Sequence, residues 1–498
     1  MSSDIATSVT KNMTVMMGSQ VVTWISTFIL MIFLPRYLGS EEYGRLYLAM
    51  SVSLMFQVFI EFGGTYFISK EVARSRDKAA ELIVNSVGLR LALSLCSIVA
   101  MVAFSFIAGY AAEVRILITI FAVARLWEGV LSVFTSSFQG FEKMEYRSLT
   151  SITERVSLTL IGVGALMLGA HSVAIACIMS GATLLSFFVG LRYIRILIPR
   201  FPSIDWQAGW MLVRKGVPYL LMSVFAVIYY RVNAVMLSLL APDAVVGWFG
   251  AAFRFFDILM FLPSIFSLAV FPVLARLSGE ENTVTRTTQK SLDIILVAVI
   301  PIAISTFVFA EQIIDLLFGL KEFSQSIIVL KVLSFGLLLV YVDFVLVMAL
   351  IAMDKQRQWS VVALAAIPVS IILNYILIPY FQARIGNGGV GSAVATNVTE
   401  LFIMAAAIVL LPKGVFVVTG IPVPLKAVGA SVFMVGSLWL MENGPVPWIV
   451  QGIIGLLVYA GAALSLRVFQ PEEIAFFRGF FSLESMKKTF LRRRGADA

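Results

Sequence analysis

Charge is what this chain has least of. Only 13% of its 498 residues are Asp, Glu, Lys or Arg, and 60% are hydrophobic. A soluble domain carries roughly 25% charged residues, so no water-facing surface can be covered from this supply. Cysteine and histidine are scarce as well, with two Cys and one His. Cys96 and Cys177 both fall inside apolar runs, which argues against a disulfide framework or a thiol site, and His171 reads as an ordinary loop residue. A Gly-rich phosphate loop, a nucleophile elbow and a His/Cys metal set are all missing. No catalytic residue and no metal site is therefore assigned, and the chain reads as moving something, not converting it. The expected outer connections point the same way, since the longest has about a dozen residues, too few for a catalytic loop acting on lipid-linked sugars.

What is there comes in blocks. Apolar runs of about 20 residues match, at roughly 1.5 Å per residue, a hydrocarbon core of about 30 Å. About fourteen such runs give an all-α polytopic membrane protein. The first run is too long for a signal peptide and has no small-residue cleavage site. With an inner N-terminus and every run crossing, the inner segments collect most of the cations, among them Lys70, Arg74, Arg76, Lys78, Lys143, Arg147, Arg192, Arg195, Arg200, Arg214 and Lys215. The outer segments keep only Arg36, Arg45, Arg115, Lys321 and Arg384. The positive-inside rule then places both termini in the cytoplasm, with the chain multi-pass in the cytoplasmic (inner) membrane. Distributed this way, the net charge of +8 does not point to nucleic acid.

The chain also repeats itself. LPRYLGSEEYGRLY (Leu34–Tyr47) is a polar turn between two long apolar runs, Asn12–Leu34 and Leu46–Ile68. A run from Val217 to Leu240 leads into APDAVVGWFG (Ala241–Gly250) and a further apolar run. Aligning Tyr43-Gly44 with Val246-Gly247 sets Lys11 opposite Arg214, the pattern of one multi-helix unit used twice. The expected layout is a six-helix bundle over 1–197, a cytoplasmic linker over 198–215 and a second six-helix bundle over 216–412. Two additional transmembrane helices over 413–470 and a cytoplasmic amphipathic basic tail over 471–498 complete it. Pro263 predicts a kink in the eighth helix, and Ser69–Glu81 an amphipathic piece at the headgroup level.

The string LPRYLGSEEYG resembles the first-loop signature of polysaccharide flippases in the multidrug/oligosaccharidyl-lipid/polysaccharide exporter superfamily. Gln139–Tyr146 resembles that family's loop after helix 4. In Ala349–Glu400, Asp354-Lys355, Asn374, Ile378-Pro379 and GGVGSAVATNVTE are similar to its LN…liP…GiiGAAiAT…E pattern. The sequence departs in two places: the second-half turn lacks the Arg and Glu pair of the first, and the Gly-Ala-Ala step reads Gly391-Ser392-Ala393. The resemblance implies a MATE-like fold with two bundles around a central cavity. It implies a flippase that carries a polyprenyl-(pyro)phosphate-linked oligosaccharide across the membrane for surface polysaccharide biosynthesis, by alternating access. A peptidoglycan-precursor flippase and a cation-coupled multidrug exporter of the same superfamily are the alternatives, followed by a membrane enzyme or an assembly scaffold. Expected partners are the lipid-linked oligosaccharide, membrane lipids, a polysaccharide polymerase and other assembly proteins.

A sugar–pyrophosphate head crossing hydrocarbon needs fixed cations in a sheltered cavity, and Arg suits phosphate because its planar fork binds two oxygens at once. Candidate head-group residues are Arg254, Arg231, Arg125, Arg90, Arg155 and Arg36. Each has a plainer reading. Arg125–Glu128 and Arg254–Asp257 are spaced i, i+3 and can neutralise one another. Arg90 and Arg155 start near the inner boundary and can snorkel, and Arg36 can simply anchor its turn. Glu61, Asp257, Asp293, Asp343 and Glu400 are the candidates for proton or sodium coupling; they serve equally well as partners of Arg or as helix caps. No other cofactor is expected.

Overall fold

The computed structural model describes residues 2–62, 64–205, 220, 224, 227–277, 281–412, 423–441 and 444–468. The tail 471–498, most of the linker 198–215 with Trp206, Trp210, Arg214 and Lys215, and Lys413 lie outside the described residues. Among the described residues every regular element is helical. The first six longer helices are α1 (Ser2–Glu61), α2 (Gly64–Arg74), α3 (Ala79–Ile107), α4 (Ala112–Gly140), α5 (Met144–Met167) and α6 (Ser172–Leu197). Next come α7 (Val227–Leu240), α8 (Asp243–Leu259), α9 (Phe261–Arg276), α10 (Glu281–Val308), α11 (Ala310–Leu317) and α12 (Leu320–Phe323). The last described helices are α13 (Ser326–Ala352), α14 (Gln356–Ile385), α15 (Gly388–Leu410), α16 (Val423–Met441) and α17 (Trp448–Ser465).

Twelve helices among the described residues are long and apolar enough to cross a membrane, against the fourteen expected. The first of them, Thr14–Glu61, has 48 residues. It would reach about 72 Å if straight, more than twice the hydrocarbon thickness. It breaks at Gly39, whose φ of 73° and ψ of 174° lie outside helical space. Glycine carries that φ without a Cβ clash. The polar turn expected over Leu34–Tyr47 is thus compressed to one residue: helix runs up to Leu38 and resumes at Ser40, with Glu41 and Glu42 at the new N-terminus, where the helix dipole favours acids.

The chain forms two compact units. One comprises Met1–Ile258, Ile313–Leu333 and Gln356–Ile403; the other comprises Leu259–Gln312, Ser334–Lys355 and Met404–Ala498. In the first, α4 packs against α1, α2, α3, α5 and α6. The amphipathic piece expected over Ser69–Glu81 is divided: residues 69–74 close α2, which buries Ile68 and Val72 one turn apart and exposes Lys70 and Arg74, and Ala79–Glu81 open α3. Ile68 and Val72 join Ile83, Val133, Phe134, Phe138 and Ile194 in one apolar cluster.

The halves of the repeat meet inside this unit. A Cβ added to Gly44 would strike the Asp243 carbonyl, and one added to Gly247 would strike the Ser40 carbonyl. In the register that pairs Gly44 with Gly247, Ser40 pairs with Asp243, so the two contacts are mirror versions of one. Gly250 lies against the ring of Tyr47, its own counterpart in that register. Small residues let the backbones approach this closely.

In the second unit, α10 packs against α9, α16 and α17. The kink expected at Pro263 occurs as a break at Met260, between α8 and α9. A proline removes one N–H and frees the carbonyl four residues earlier. For Pro263 that carbonyl is Leu259's, and the Tyr341 hydroxyl donates to it at 2.5 Å. For Pro301 it is Val297's, and the Tyr459 hydroxyl donates to it at 2.7 Å. Two tyrosines therefore satisfy the backbone that two prolines opened, as hydrocarbon surroundings require.

A polar cluster at mid-helix depth

Arg231 on α7 lies 3.4 Å from Asp257 on α8. Arg254 precedes Asp257 by three positions, on the same face of α8. Tyr43 and Tyr47, one turn apart on the second part of α1, share the electrostatic neighbourhood of Arg231, Arg254 and Asp257. From Asp243, the start of α8, Arg254 is about 16 Å along the axis, near the middle of a hydrocarbon core. Two guanidinium groups face one carboxylate, so the cluster is cationic. Among the described residues Arg254 forms no ion pair, and Arg231, Arg254 and Asp257 are all half-buried. The arrangement offers a fork-shaped cation with an unspent charge, suited to an oxyanion, while the Tyr43 and Tyr47 rings are buried in the packing beside it.

A second polar chain runs through α1 and α4. Arg125 Nη2 is 2.6 Å from Glu128, and Arg125 Nη1 donates to Gln57 Oε1 at 2.7 Å. Gln57 Nε2 donates in turn to Glu61 Oε1, also at 2.7 Å. Arg155 is 3.9 Å from Glu154 and half exposed. The Arg125 charge is met by Glu128. Arg90 departs from the snorkelling alternative: it is 2% exposed, and both its Nη atoms are buried without a hydrogen-bond partner among the described residues. Its position in the interior of α3, packed against α4, keeps the side chain from the surface.

Arg36 is committed to the backbone. Its Nη2 donates to the carbonyls of Asp315 and Leu316, 3.0 and 2.9 Å away, at the C-terminal end of α11. A cation there complements the helix dipole. Arg45, which the sequence offered only as one of a few outer cations, bonds Asp243 at 2.7 Å and pairs with Glu113 and Glu41. Glu42 accepts from the Ser172 amide at 2.8 Å, satisfying the start of α6, and sits 2.7 Å from His171. One short stretch of α1 therefore ties down the starts of α4, α6 and α8.

The five candidate coupling acids are divided between the two units. Glu61, Asp257 and Glu400 belong to the first unit, Asp293 and Asp343 to the second. Glu400 is 2% exposed and accepts from the Tyr229 hydroxyl at 2.8 Å. Nearby, Asn374 donates to Asn233, which donates to Thr396, so the family-like Asn374 builds a buried side-chain network joining α7, α14 and α15. Among the described residues no group of three His, Cys, Asp or Glu side chains is placed to hold a metal ion. Sequence reasoning missed Tyr43, Tyr47 and Gln57. The i, i+4 spacing of the tyrosines inside the LPRYLGSEEYGRLY stretch was the available signal, hidden because aromatic residues at helical spacing usually pack in cores.

Two solved structures share this fold. The lipid II flippase MurJ, in an inward closed conformation, gives a TM-score of 0.71 at 15% identity, over 92% of this chain and 98% of MurJ. An inward-facing multidrug resistance MATE-family transporter of the MOP superfamily gives 0.60 at 17% identity, over 79% of this chain and 93% of that one. The chain is a polytopic helical membrane protein of MATE-like fold. The profile of the family described as polysaccharide biosynthesis protein matches residues 9–278, more than half of the sequence, and the chain belongs to that family. A MatE profile matches residues 218–376. The probable flippase AglR of Haloferax volcanii is 25% identical over 214 residues. That match spans 42% of this chain and 43% of AglR, less than half the length of either.

Proposed function

We propose that the protein is a flippase for a polyprenyl-(pyro)phosphate-linked oligosaccharide, moving it across the cytoplasmic membrane by alternating access. The observation that carries this reading is the Arg231–Arg254–Asp257 cluster, a cationic site near the middle of the helices. A phosphoryl head needs an unspent cation at that depth. Membership of the polysaccharide biosynthesis family and the partial match to a probable flippase support the same reading. Asp257 is the coupling candidate it favours, because this carboxylate already contacts one of the two arginines. The polymerase that consumes the transported glycan is the expected working partner, with both termini on the cytoplasmic side.

The test is the fate of the lipid-linked oligosaccharide in cells lacking the protein. The expected result is accumulation on the inner leaflet while synthesis continues, reversed by restoring the gene. Normal arrival of the glycan at the surface refutes the assignment and moves the drug-exporter reading forward.

A further inference from the structure

The second membrane helix is interrupted where a buried cation waits. α1 ends at Glu61, Phe62 adopts a positive φ of 47°, and α2 begins at Gly64. Beside this break lies a cavity of about 20 Å³ lined by Glu61, Phe62, Gly64, Phe67, Ile68, Ser86, Leu89 and Arg90, enough for one water-sized group. Among its lining residues, three polar atoms are buried with no hydrogen-bond partner among the described residues: Arg90 Nη1, Arg90 Nη2 and Ser86 Oγ. Gly64 opens the 11-residue helix α2, and a Cβ at that position would lie 3.1 Å from Arg90 Nη2. The guanidinium thus sits against a helix N-terminus, where first-turn N–H groups lack intrahelical acceptors and carry partial positive charge.

We infer that this cavity is an oxyanion subsite that takes one non-bridging oxygen of a phosphoryl group on a lipid. The donors are Arg90, Ser86 and the first turn of α2. They form the combination that binds phosphate elsewhere: a fork-shaped cation, a hydroxyl and a helix N-terminus. An unpaired buried cation is costly, and an acceptor oxygen relieves Arg90 and Ser86 together. Glu61, the acid on the cavity wall, already accepts from Gln57 at 2.7 Å, and Gln57 is held by Arg125. Glu61 shares the cavity wall with Arg90 and competes with the incoming oxygen. The subsite uses none of Arg231, Arg254, Tyr43 or Tyr47. The lipid is either the polyprenyl carrier, in which case the inference rests on the flippase reading, or an anionic phospholipid of the bilayer, in which case it does not.

Binding of two probes to the full-length protein in detergent, undecaprenyl phosphate and phosphatidylglycerol, is measured by native mass spectrometry. An Arg231→Ala/Arg254→Ala background removes the other cationic cluster. Loss of one charge-assisted contact predicts about tenfold weaker binding for Arg90→Gln, and about threefold for Ser86→Ala. Glu61→Gln is expected to bind about threefold more tightly, since a competing charge is gone. Gly64→Ala keeps every charge and narrows the cavity, so it weakens binding even if Arg90→Gln fails to fold. Unchanged affinity in Gly64→Ala, together with no gain in Glu61→Gln, overturns the subsite. Preference for undecaprenyl phosphate identifies the carrier, and equal binding identifies a bilayer phospholipid site. Normal glycan export without the protein would defeat the flippase reading alone, because the binding measurement does not depend on export.

Discussion

Arg45 and Asp243 are 198 positions apart in the chain, and the Arg45 Nε donates to the Asp243 carboxylate at 2.7 Å. One belongs to the first copy of the repeat and the other to the second. The second copy has no Arg in its turn; it supplies the acid that the first copy's Arg needs. An apparent loss of the motif is therefore complementation across the repeat. Both side chains are partly exposed, which places the pair among those contributing about 1 kcal/mol. A double-mutant cycle of Arg45→Ala and Asp243→Ala, read by thermal unfolding in detergent, is expected to give a coupling of about that size. Strict additivity would mean that the pair is incidental.

The glycine contacts beside it are less forgiving. Gly44 and Gly247 each face a backbone carbonyl of the opposite repeat, and backbone cannot rotate aside as a side chain can. Gly247→Ala is expected to lower stability by about 1–3 kcal/mol or more, seen as a lower unfolding midpoint and reduced membrane level. An equal substitution at Gly436, which has open space around its Cβ position, should be nearly silent. Similar effects at the two sites would refute the close-contact account.

The helices were readable because hydrocarbon imposes a length and an apolar composition on every span. Register was legible too: aligning Gly44 with Gly247 anticipated the two residues that interlock. The roles of individual arginines were not. Arg36, Arg90 and Arg125 look alike in sequence, yet one caps carbonyls, one faces a cavity and one is paired. Those differences come from partners that a linear pattern does not rank, such as Asp315, which is 279 positions from Arg36.

The proline–tyrosine pairs predict a specific rescue. Tyr341→Phe leaves the Leu259 carbonyl without its donor, at a penalty of about 1–3 kcal/mol for a buried polar group. Pro263→Ala restores an N–H to that carbonyl, so the double variant should regain most of the lost unfolding temperature. Tyr459→Phe with Pro301→Ala should behave alike. Failure of both rescues would show that the hydroxyls act through something other than the opened backbone.

For the central cluster, Arg254→Ala and Arg231→Ala are each expected to abolish glycan export while the protein stays in the membrane. Lysine at either position should recover export in part, because it returns the charge without the bidentate fork. Asp257→Asn removes the counter-charge and should tighten head-group binding while slowing release. Export at the normal level in both alanine variants would remove these residues from the transport path and leave the fold untouched.

Arg125 provides the contrast that makes the preceding result interpretable. At 2.6 Å from Glu128 and 2.7 Å from Gln57, its charge is already committed. Removing one partner of such a buried pair strands the other, at about 3–5 kcal/mol, whereas replacing both by apolar groups of similar size is often neutral. Arg125→Met alone is therefore expected to reduce the amount of folded protein, as is Glu128→Leu alone. The double variant should return to near-normal levels and should still export glycan. If the double variant folds but does not export, Arg125 touches the cargo and belongs with Arg231 and Arg254. If it folds and exports, the arginines in this membrane interior divide into two kinds, and only those with charge left over after their protein partners are counted serve transport.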